Sequence, residues 1–279
     1  KLFNDILPKF GVTTSYVDGR YIENFERAIL PDTKIIYLES PNSWDYAIQD
    51  LKAVAALAKS HNVITICDNS YCTPIYQRPV EYGIDLVLQS ATKYIGGHSD
   101  VVAGVLSGSK KMITKIFNSE YLNIGSGIQP FNAWLLIRGL RTLPARLERI
   151  TTTTSKVVEY LKTHNRVEKV IFPFDTSFAQ YALAKSQMQG VCGLLTFVIK
   201  AKNISTIETF CNKLQHILMA VSWGGHESLI IPRCAGIKAE KFIPSSEEHR
   251  MLRLYCGLED PDYIINDLER GFEAISEIE

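Results

Sequence analysis

The stretch Lys34-Ile-Ile-Tyr-Leu-Glu39 is a short apolar run that ends at the break Ser40-Pro41-Asn42. A run of this length closed by turn residues is typical of a buried β-strand that leads into a loop. Apolar residues then recur at helical spacing from Leu51 to His61, with Asp50 at the N-cap position. A second strand is predicted at Val63-Ile-Thr-Ile-Cys67, so this part of the chain has the order strand, helix, strand.

Two more strands are predicted beyond this unit, over residues 84–89 and 101–106. Strands that alternate with helices need crossover connections, which favour an α/β fold with a mostly parallel sheet and helices on both faces. Ligands bind such sheets beyond the carboxyl ends of the strands. We therefore expect functional residues at Asp68, directly after the second strand, and just after Gln89.

The second half of the chain has a different pattern. One long helix is predicted from Pro144 to His164, and we interpret the run Thr151 to Thr154 inside it as a bend or domain hinge, since β-branched residues disfavour helix slightly. The stretch 172–189 is expected to be rich in loops, with strands at 193–199 and 252–256 and helices at 204–216 and 261–278. This arrangement predicts a large domain over residues 1–142 and a smaller α+β domain over residues 143–279.

Composition excludes several classes of partner. Thirty Lys and Arg residues balance thirty Asp and Glu residues, so the formal net charge is zero. A nucleic-acid backbone or an anionic membrane surface requires a cationic protein surface, and neither is expected as a partner. The apolar runs are short and broken by charges, so no transmembrane helix is predicted. At 279 residues the chain is long enough for two domains.

The cysteines indicate a reducing compartment. They form no Cys-x-x-Cys pair and no cluster with the spacing of metal ligands, and several lie in apolar, strand-like runs. We interpret them as reduced, buried thiols of a cytoplasmic enzyme, with neither a disulfide framework nor a metal site. The six are Cys67, Cys72, Cys192, Cys211, Cys234 and Cys256.

The segment Ser90-Ala-Thr-Lys93-Tyr-Ile-Gly-Gly-His-Ser99 has the chemistry of a site. It follows a predicted strand and places Lys93 beside the hydroxyls of Ser90 and Thr92, before two glycines that allow close backbone approach. Burial lowers the pKa of a lysine, as an imine-forming lysine requires, and the two hydroxyls are suited to a phosphate ester. A lone lysine in a turn is more often solvated, so this interpretation depends on the neighbouring residues.

Asp68 is the neighbour that completes the pattern. It ends another strand of the predicted sheet, where parallel topology brings strand ends together. A carboxylate there could pair with a protonated pyridine nitrogen and keep the ring an electron sink, although an aspartate at this place is also a common turn or capping residue. Lysine, aspartate, serine and threonine together are typical of a pyridoxal 5′-phosphate (PLP) site.

Asp85 to Ser99 resembles the lysine signature of the PLP enzymes of Cys/Met metabolism, the trans-sulfuration group. The resemblance covers essentially the whole chain and implies the aminotransferase-like fold of type I. The other matching segments, in the family's order, are Glu39-Ser-Pro41, Asp68-Asn69, Arg138-Gly-Leu-Arg-Thr-Leu143, Glu227-Ser-Leu229 and Arg253-Leu followed by Gly257-Leu-Glu-Asp260.

The resemblance implies a role for each matching position. Lys93 would be the catalytic residue and carry PLP as a covalent imine, Asp68 would face the pyridine nitrogen, and Ser90 and Thr92 would bind the phosphate. Arg253 would clamp the substrate α-carboxylate, a bidentate task that suits a guanidinium. Ser222, Trp223 and Ser43 would contact the substrate.

Without the resemblance, some of these residues have ordinary interpretations. Arg253 would be a surface charge on an edge strand, and Trp223 a core or interface aromatic. His98 and His226 would be loop histidines without a chemical role, and we keep that interpretation for both.

Two local features favour elimination at Cβ of cystathionine, giving homocysteine, pyruvate and ammonia. Ser222 to Leu229 carries Trp223 where γ-type enzymes have a smaller aliphatic residue, and Ser43 stands where γ-type enzymes usually have Asn. Against this, Asp68-Asn-Ser-Tyr-Cys-Thr-Pro74 is closer to the γ-type sequence. A γ-type member, such as cystathionine γ-synthase, cystathionine γ-lyase or methionine γ-lyase, is therefore the alternative.

One segment also matches the spacing of an unrelated enzyme class. Ser90-Ala-Thr-Lys93 also has the S-x-x-K spacing of penicillin-binding serine enzymes, but the K-T-G element of that class does not occur. In the family, a phosphate-binding turn and a tyrosine that stacks on the cofactor precede the region matching Lys1 to Asn4. We therefore expect an N-terminal part to be missing, and an inactive fragment or scaffold is the non-enzyme alternative. The resemblance also implies a small sulfur amino acid as substrate and a homotetramer, a dimer of dimers, in the cytoplasm.

Overall fold

The helices and strands were located in a computed structural model, which describes residues 1–276. The α-helices within these residues are α1 (Ile22–Ala28), α2 (Leu51–Ser60), α3 (Thr73–Tyr76), α4 (Lys110–Ile116), α5 (Leu122–Ile124), α6 (Pro130–Arg141), α7 (Leu143–Thr163), α8 (Tyr181–Gln187), α9 (Ile204–Lys213) and α10 (Pro261–Ser276). The strands are β1 (Ile35–Glu39), β2 (Ile64–Asp68), β3 (Leu86–Ser90), β4 (Gly104–Gly108), β5 (Val167–Ile171), β6 (Leu194–Ile199), β7 (Leu218–Met219), β8 (Leu229–Pro232) and β9 (Met251–Tyr255). Shorter 3-10 or π turns lie at Leu2–Ile6, Leu7–Phe10, Pro79–Tyr82, Phe117–Tyr121, Ala239–Lys241 and Glu248–Arg250.

The first sheet has the strand order β1-β2-β3-β4. β1, β2 and β3 are parallel, and α2 provides the crossover from β1 to β2, as the sequence predicts. The side chain of Asp50 accepts a hydrogen bond from the backbone of Ala53 at 3.0 Å and so caps α2. β4 pairs with β3 in the antiparallel sense, which makes the sheet mixed. The strand predicted at 101–106 therefore begins later and runs in the opposite direction.

The second sheet has the order β5-β6-β9-β8-β7. Its strands are antiparallel except for the short pair β7 and β8. β6 and β9 lie in the middle, and every residue of both strands is buried. Continuous burial explains why both are uninterrupted apolar runs in the sequence apart from Thr196 and Arg253.

The largest hydrophobic cluster surrounds this second sheet and also includes residues from the first half of the chain. Tyr46, Tyr71 and Tyr94 are all at most 3% exposed and belong to it. The Tyr46 hydroxyl lies 3.1 Å from Thr196 Oγ1, and the Tyr94 hydroxyl accepts a hydrogen bond from the Gly193 backbone at 2.8 Å. The bonded hydroxyls of Tyr46 and Tyr94 therefore link the segments around the first sheet to the second.

The predicted bend at residues 151–154 is wrong, because α7 is continuous from Leu143 to Thr163. The hydroxyls of Thr152 and Thr154 donate to the carbonyls of Glu148 and Ile150, four residues earlier, at 2.9 and 2.7 Å. These bonds satisfy the hydroxyls within the helix. Burial of one face of α7 then outweighs the weak helix propensity of threonine.

The remaining predicted elements differ mainly at their ends. The stretch 172–189 contains α8, and the helix predicted to end at residue 216 ends at Lys213. The last helix is described as far as Ser276, so the predicted end at Ile278 lies outside the described residues.

No helix within residues 1–276 combines the length and the hydropathy needed to cross a bilayer. All six cysteines are free and buried, as predicted for thiols in apolar runs.

Candidate active site

The carboxyl ends of β2 and β3 lie side by side. Asp68 is the last residue of β2 and Ser90 the last of β3, and the register pairs Asp68 with Leu88 of the neighbouring parallel strand. The backbone N–H of Ser90 donates to the Ser70 hydroxyl at 2.6 Å, which joins the two loops that leave these strands. The predicted meeting of strand ends at this edge is thus present.

A second carboxylate lies next to Asp68. Glu39 ends β1 and is its register partner, while one oxygen of Asp68 accepts a hydrogen bond from the Ser70 backbone at 2.9 Å. Glu39 keeps contact with solvent, yet the protein packed around its carboxyl and then the Asp68 charge raise its pKa. Burial and the same charge raise the pKa of the nearby Tyr37 hydroxyl. Asp68 therefore has neighbours that favour their protonated forms.

Lys93 sits in a tight turn directly after β3. Its backbone N–H donates to the carbonyl of Ser90 at 3.0 Å, and its carbonyl accepts from the Gly97 N–H at 2.8 Å. The Thr92 hydroxyl is 3.0 Å from the Ala103 N–H and 3.2 Å from the Ala103 carbonyl. The turn is thereby fastened to the segment that leads into β4.

The Lys93 side chain points to the loop that precedes β8. Its Nζ donates to the Ser222 hydroxyl at 2.8 Å and lies 5.1 Å from the ring centroid of Trp223. Burial, and to a lesser degree the charge of Arg253, lower the pKa of the Lys93 amine. A lowered pKa leaves more of the amine in the neutral form that reacts with carbonyls and takes protons.

Gly224 allows this loop to approach Lys93. A Cβ at this position would lie 2.8 to 2.9 Å from the Cα, carbonyl carbon and Cβ of Lys93, and the φ of Gly224 is +87°. A second contact ties the same loops together, because the Ser99 hydroxyl lies 2.7 and 2.9 Å from the two carboxylate oxygens of Glu227. The lysine turn and the 222–227 loop therefore meet at two places.

Arg253 lies in the central strand β9 and is 5% exposed, so its interpretation as an edge-strand surface charge is wrong. Its guanidinium donates to the carbonyls of Ser43, at 3.2 Å, and Val221, and its Cζ lies 4.9 Å from the ring centroid of Trp44. Within the described residues, neither Arg253 nor Lys93 forms an ion pair with a carboxylate. A buried guanidinium without a counter-ion is a receptor for an anionic group.

Most of the predicted site residues lie at this edge, but the contacts of Ser43 and Thr92 differ from those predicted. Ser43 reaches Arg253 through its backbone carbonyl rather than its hydroxyl. The Thr92 hydroxyl is already bonded to backbone. His98 is bonded to the Gly96 carbonyl at 2.7 Å, and His226 lies 3.2 Å from Glu227, both on loops as expected.

Two residues at the site, Trp44 and Glu39, have no role predicted from the sequence. Trp44 stacks near Arg253, and Glu39 lies beside Asp68. The rule that ligands bind beyond strand ends could have identified Glu39, since it ends β1. Nothing in the sequence indicates that Trp44 meets a residue more than two hundred positions later.

The site has the groups that PLP requires. An amine, a carboxylate at a neighbouring strand end and hydroxyls at the edge of the sheet are the donor set for an imine, a pyridinium partner and a phosphate ester. The missing side chain of Gly224 leaves the Lys93 backbone in contact with the opposite loop, and Arg253 offers an unpaired buried charge. The residues present therefore fit the cofactor.

Two clefts lie elsewhere. One, of about 350 Å³, is lined by residues including Tyr76, Thr151 and Asp175. The other, of about 390 Å³, lies between His164 and Glu273. Neither is lined by a predicted site residue.

Comparison with known proteins identifies relatives along the whole chain. A sequence model of the family described as "Cys/Met metabolism PLP-dependent enzyme" matches residues 1–273. The L-methionine gamma-lyase of Treponema denticola is 39% identical over 281 residues, which span 98% of this chain and 69% of that protein. The cystathionine beta-lyase of Lactococcus lactis subsp. cremoris is 33% identical over 277 residues, 98% of this chain and 72% of that protein.

A solved structure shows the same fold. The crystal structure of cystathionine gamma-lyase from Lactobacillus plantarum, complexed with L-serine, matches with a TM-score of 0.91 at 35% identity and covers 99% of this chain and 73% of that one. The predicted family and cofactor are confirmed by these matches. The chain therefore belongs to the Cys/Met metabolism family of PLP-dependent enzymes, as a carbon–sulfur lyase of the trans-sulfuration group.

Proposed function

We propose that the chain acts on L-cystathionine and cleaves the bond between sulfur and Cβ. The observation that carries the proposal is that Lys93 and Arg253 occur in the same site. An amine whose pKa is lowered and a buried guanidinium without an acidic partner occur in one site. The first suits a base for the Cα proton, and the second suits the α-carboxylate of an amino acid.

The residues that would hold PLP are Lys93 at its aldehyde, Asp68 at its pyridine nitrogen, and Ser90 and Thr92 at its phosphate. When bound, the cofactor withdraws electrons from Cα and makes the Cα proton acidic. Asp68 supports this because its carboxylate stabilises a protonated ring nitrogen. Thr92 would have to turn its hydroxyl proton from Ala103 toward the phosphate, a small change for a freely rotating group.

The reaction then needs one proton carrier. Arg253 would fix the α-carboxylate, and the substrate amino group would replace Lys93 at the aldehyde and release its amine. Lys93 would then take the Cα proton while the Cβ–S bond breaks and a Cα–Cβ double bond forms. The proton can pass from the Lys93 ammonium to the leaving sulfur. Ser222, 2.8 Å from Nζ, would hold the amine in place during both transfers. Water then releases pyruvate and ammonia.

Trp223 supports cleavage at Cβ over cleavage at Cγ. Its ring lies 5.1 Å from the Lys93 amine and packs against Tyr94, at 5.5 Å between ring centroids. A γ-type reaction requires the same amine to remove a second proton, from Cβ. A bulky, fixed indole restricts the movement of the amine that this second transfer requires.

A γ-type lyase is the second candidate. The sequence from Asp68 to Pro74 is closer to that type, and the relative from Treponema denticola is named a methionine gamma-lyase. Such an enzyme would still use Lys93 and Arg253, so these two residues support both assignments.

Product analysis tests the two candidates. The PLP-loaded protein is incubated with L-cystathionine and separately with L-methionine. Homocysteine with pyruvate indicates β-cleavage, whereas cysteine with α-ketobutyrate, or methanethiol from methionine, indicates γ-cleavage. Lys93→Ala is the control and should lose both the imine absorbance band and turnover. No product from either substrate would contradict the proposal.

We also propose a homo-oligomer with a small amino acid as its ligand. Support comes from α6, where Phe131, Trp134 and Ile137 are 66%, 54% and 54% exposed. Such a face is typical of an interface. Light scattering on the eluted protein measures its mass. The dimer of dimers, the domain boundary between residues 142 and 143, and a cytoplasmic location stay predictions, the last supported by the six free thiols.

A further inference from the structure

A second arginine lies close to Arg253 on the same face of the second sheet. The register pairs Arg253 with Ile231, and Arg233 is two residues beyond Ile231, directly after β8. The Arg233 N–H donates to the Met251 carbonyl at 2.9 Å, so the pairing continues to this residue. Side chains two residues apart on a strand share a face, and diagonal neighbours across a pair are about 7–8 Å apart.

Both guanidinium groups contact one indole ring. The Cζ of Arg253 is 4.9 Å and the Cζ of Arg233 is 5.0 Å from the ring centroid of Trp44. Both polar backbone groups of Trp44 are hydrogen-bonded. Its N–H donates to the Asn42 side chain at 2.9 Å, and its carbonyl accepts from the Thr196 hydroxyl at 2.7 Å. Trp44 thus lies within about 5 Å of both cations.

The two arginines differ in exposure and partners. Arg253 is buried and has no carboxylate partner among residues 1–276. The side chain of Arg233 is 36% exposed and pairs at 3.2 Å with Glu248, whose side chain is 67% exposed. An exposed pair of this kind is weak, so a ligand carboxylate can replace Glu248 at little cost. Arg233 is therefore accessible to an anionic group that arrives from solvent.

We propose that Arg233 binds a second carboxylate, at the far end of the side chain of the substrate whose α-carboxylate Arg253 holds. This inference rests on the proposed function and narrows its substrate class to amino acids that carry a distal carboxylate. The chain between the two carboxylates lies along the Trp44 ring. Cystathionine has such a second carboxylate, whereas methionine does not.

The test compares two substrates that differ only at this end. S-carboxypropyl-L-cysteine carries a terminal carboxylate where S-butyl-L-cysteine carries a methyl group, and the homocysteine counterparts replace both if cystathionine gives γ-products. Arg233→Gln should raise KM about ten-fold for the carboxylate substrate and leave kcat and the butyl substrate unchanged. Arg233→Lys should restore part of the loss. Arg78→Gln removes an arginine that is also paired with a glutamate, Glu81 at 3.1 Å, and is 55% exposed; it should change KM for neither substrate.

Glu248→Gln should change KM in the direction opposite to Arg233→Gln. It removes the carboxylate that competes for Arg233, so KM for the carboxylate substrate should fall. A merely structural role of the Arg233–Glu248 pair would make both variants worse for both substrates, and that result would overturn the inference.

Binding without turnover provides an independent readout. Titration calorimetry with octanedioate and octanoate compares a dicarboxylate with a monocarboxylate of equal length, and octanedioate has the same number of atoms between its carboxylates as cystathionine. Octanedioate should bind the native protein more tightly than it binds Arg233→Gln, and octanoate should bind both alike. Equal octanedioate binding would refute the role of Arg233 even if no thioether is cleaved. Loss of all turnover with octanedioate discrimination intact would instead refute only the proposed reaction.

Discussion

The Ser99 hydroxyl lies within hydrogen-bond distance of both carboxylate oxygens of Glu227, although 127 residues separate the two positions in the chain. This contact and the bond between Lys93 and Ser222 join the loop after β3 to the loop before β8. The position of the Lys93 amine is therefore fixed jointly by segments that belong to different sheets.

Ser99→Ala tests the contact between the Ser99 hydroxyl and the Glu227 carboxylate. The variant removes the hydroxyl from a charged acceptor, so we expect a loss of about 1–3 kcal/mol in the free energy of unfolding and faster loss of PLP on dialysis. Absorbance of the imine band measures retention of the cofactor. Ser60→Ala is the control, since its hydroxyl donates to Leu57 at 2.7 Å at the distant end of α2. Equal PLP retention in both variants would show that the contact does not position the lysine.

Gly224→Ala should damage the site more than its backbone strain alone explains. The new Cβ would lie within 2.9 Å of three Lys93 atoms, and the φ of +87° is strained for alanine. Gly236→Ala is the matched control, because its φ is +83° but its Cβ would meet nothing within 4 Å. The control isolates the strain, about 1–2 kcal/mol. Urea unfolding and imine absorbance are measured for both, and identical behaviour would exclude a steric role for Gly224.

Arg253→Met should shift the pH dependence of imine formation upward. Burial and then the Arg253 charge lower the pKa of Lys93, so removal of that charge raises the pKa and the neutral amine appears only at higher pH. The rate of imine formation with added PLP, followed from acid to alkaline pH, measures the midpoint. Arg253→Lys keeps the charge and should keep the midpoint. A midpoint that moves downward in Arg253→Met would contradict the assigned direction.

Asp175→Asn should remove stability at neutral pH but not at acid pH. Burial opposes ionisation of Asp175, yet hydrogen bonds from Lys162, at 2.6 Å, and Ser177 lower its pKa overall. A lowered pKa contributes stability above the unfolded value, and this is lost as pH falls through the folded value. We expect the native protein to exceed the variant by about 1–3 kcal/mol at neutral pH, with the difference shrinking in acid. Urea titrations across pH measure it, and a pH-independent difference would argue against the ion pair.

The sequence predicted the first sheet well because its strands follow one another with a helix between them. That rule alone could place Asp68, at the end of β2, and Lys93, just after β3, at the same edge of the sheet, since β2 and β3 are a parallel pair. The antiparallel β4 could not be predicted, because an apolar run does not encode its direction. The run of threonines does not bend the helix, because hydroxyls such as that of Thr154 find partners inside it.

Contacts between distant segments were the part that sequence reasoning could not supply. The bond between Lys93 and Ser222 depends on where the second sheet docks, and no local pattern encodes that. Ser222 and Arg253 were found through a family resemblance, whereas Trp44 and Arg233 were not found at all. Such a cluster becomes visible only when β8 and β9 pair in their register.

Burial of every cysteine has a practical consequence for this protein. Burial raises the pKa of Cys67 and Cys256 to about 12, so both are protonated thiols in the folded chain at ordinary pH. Alkylating reagents attack thiolates that they can reach, and here they must wait for the fold to open. The rate of alkylation at each of the six positions, resolved by mass spectrometry, would therefore show which parts of the molecule open by local unfolding and which open only on complete denaturation.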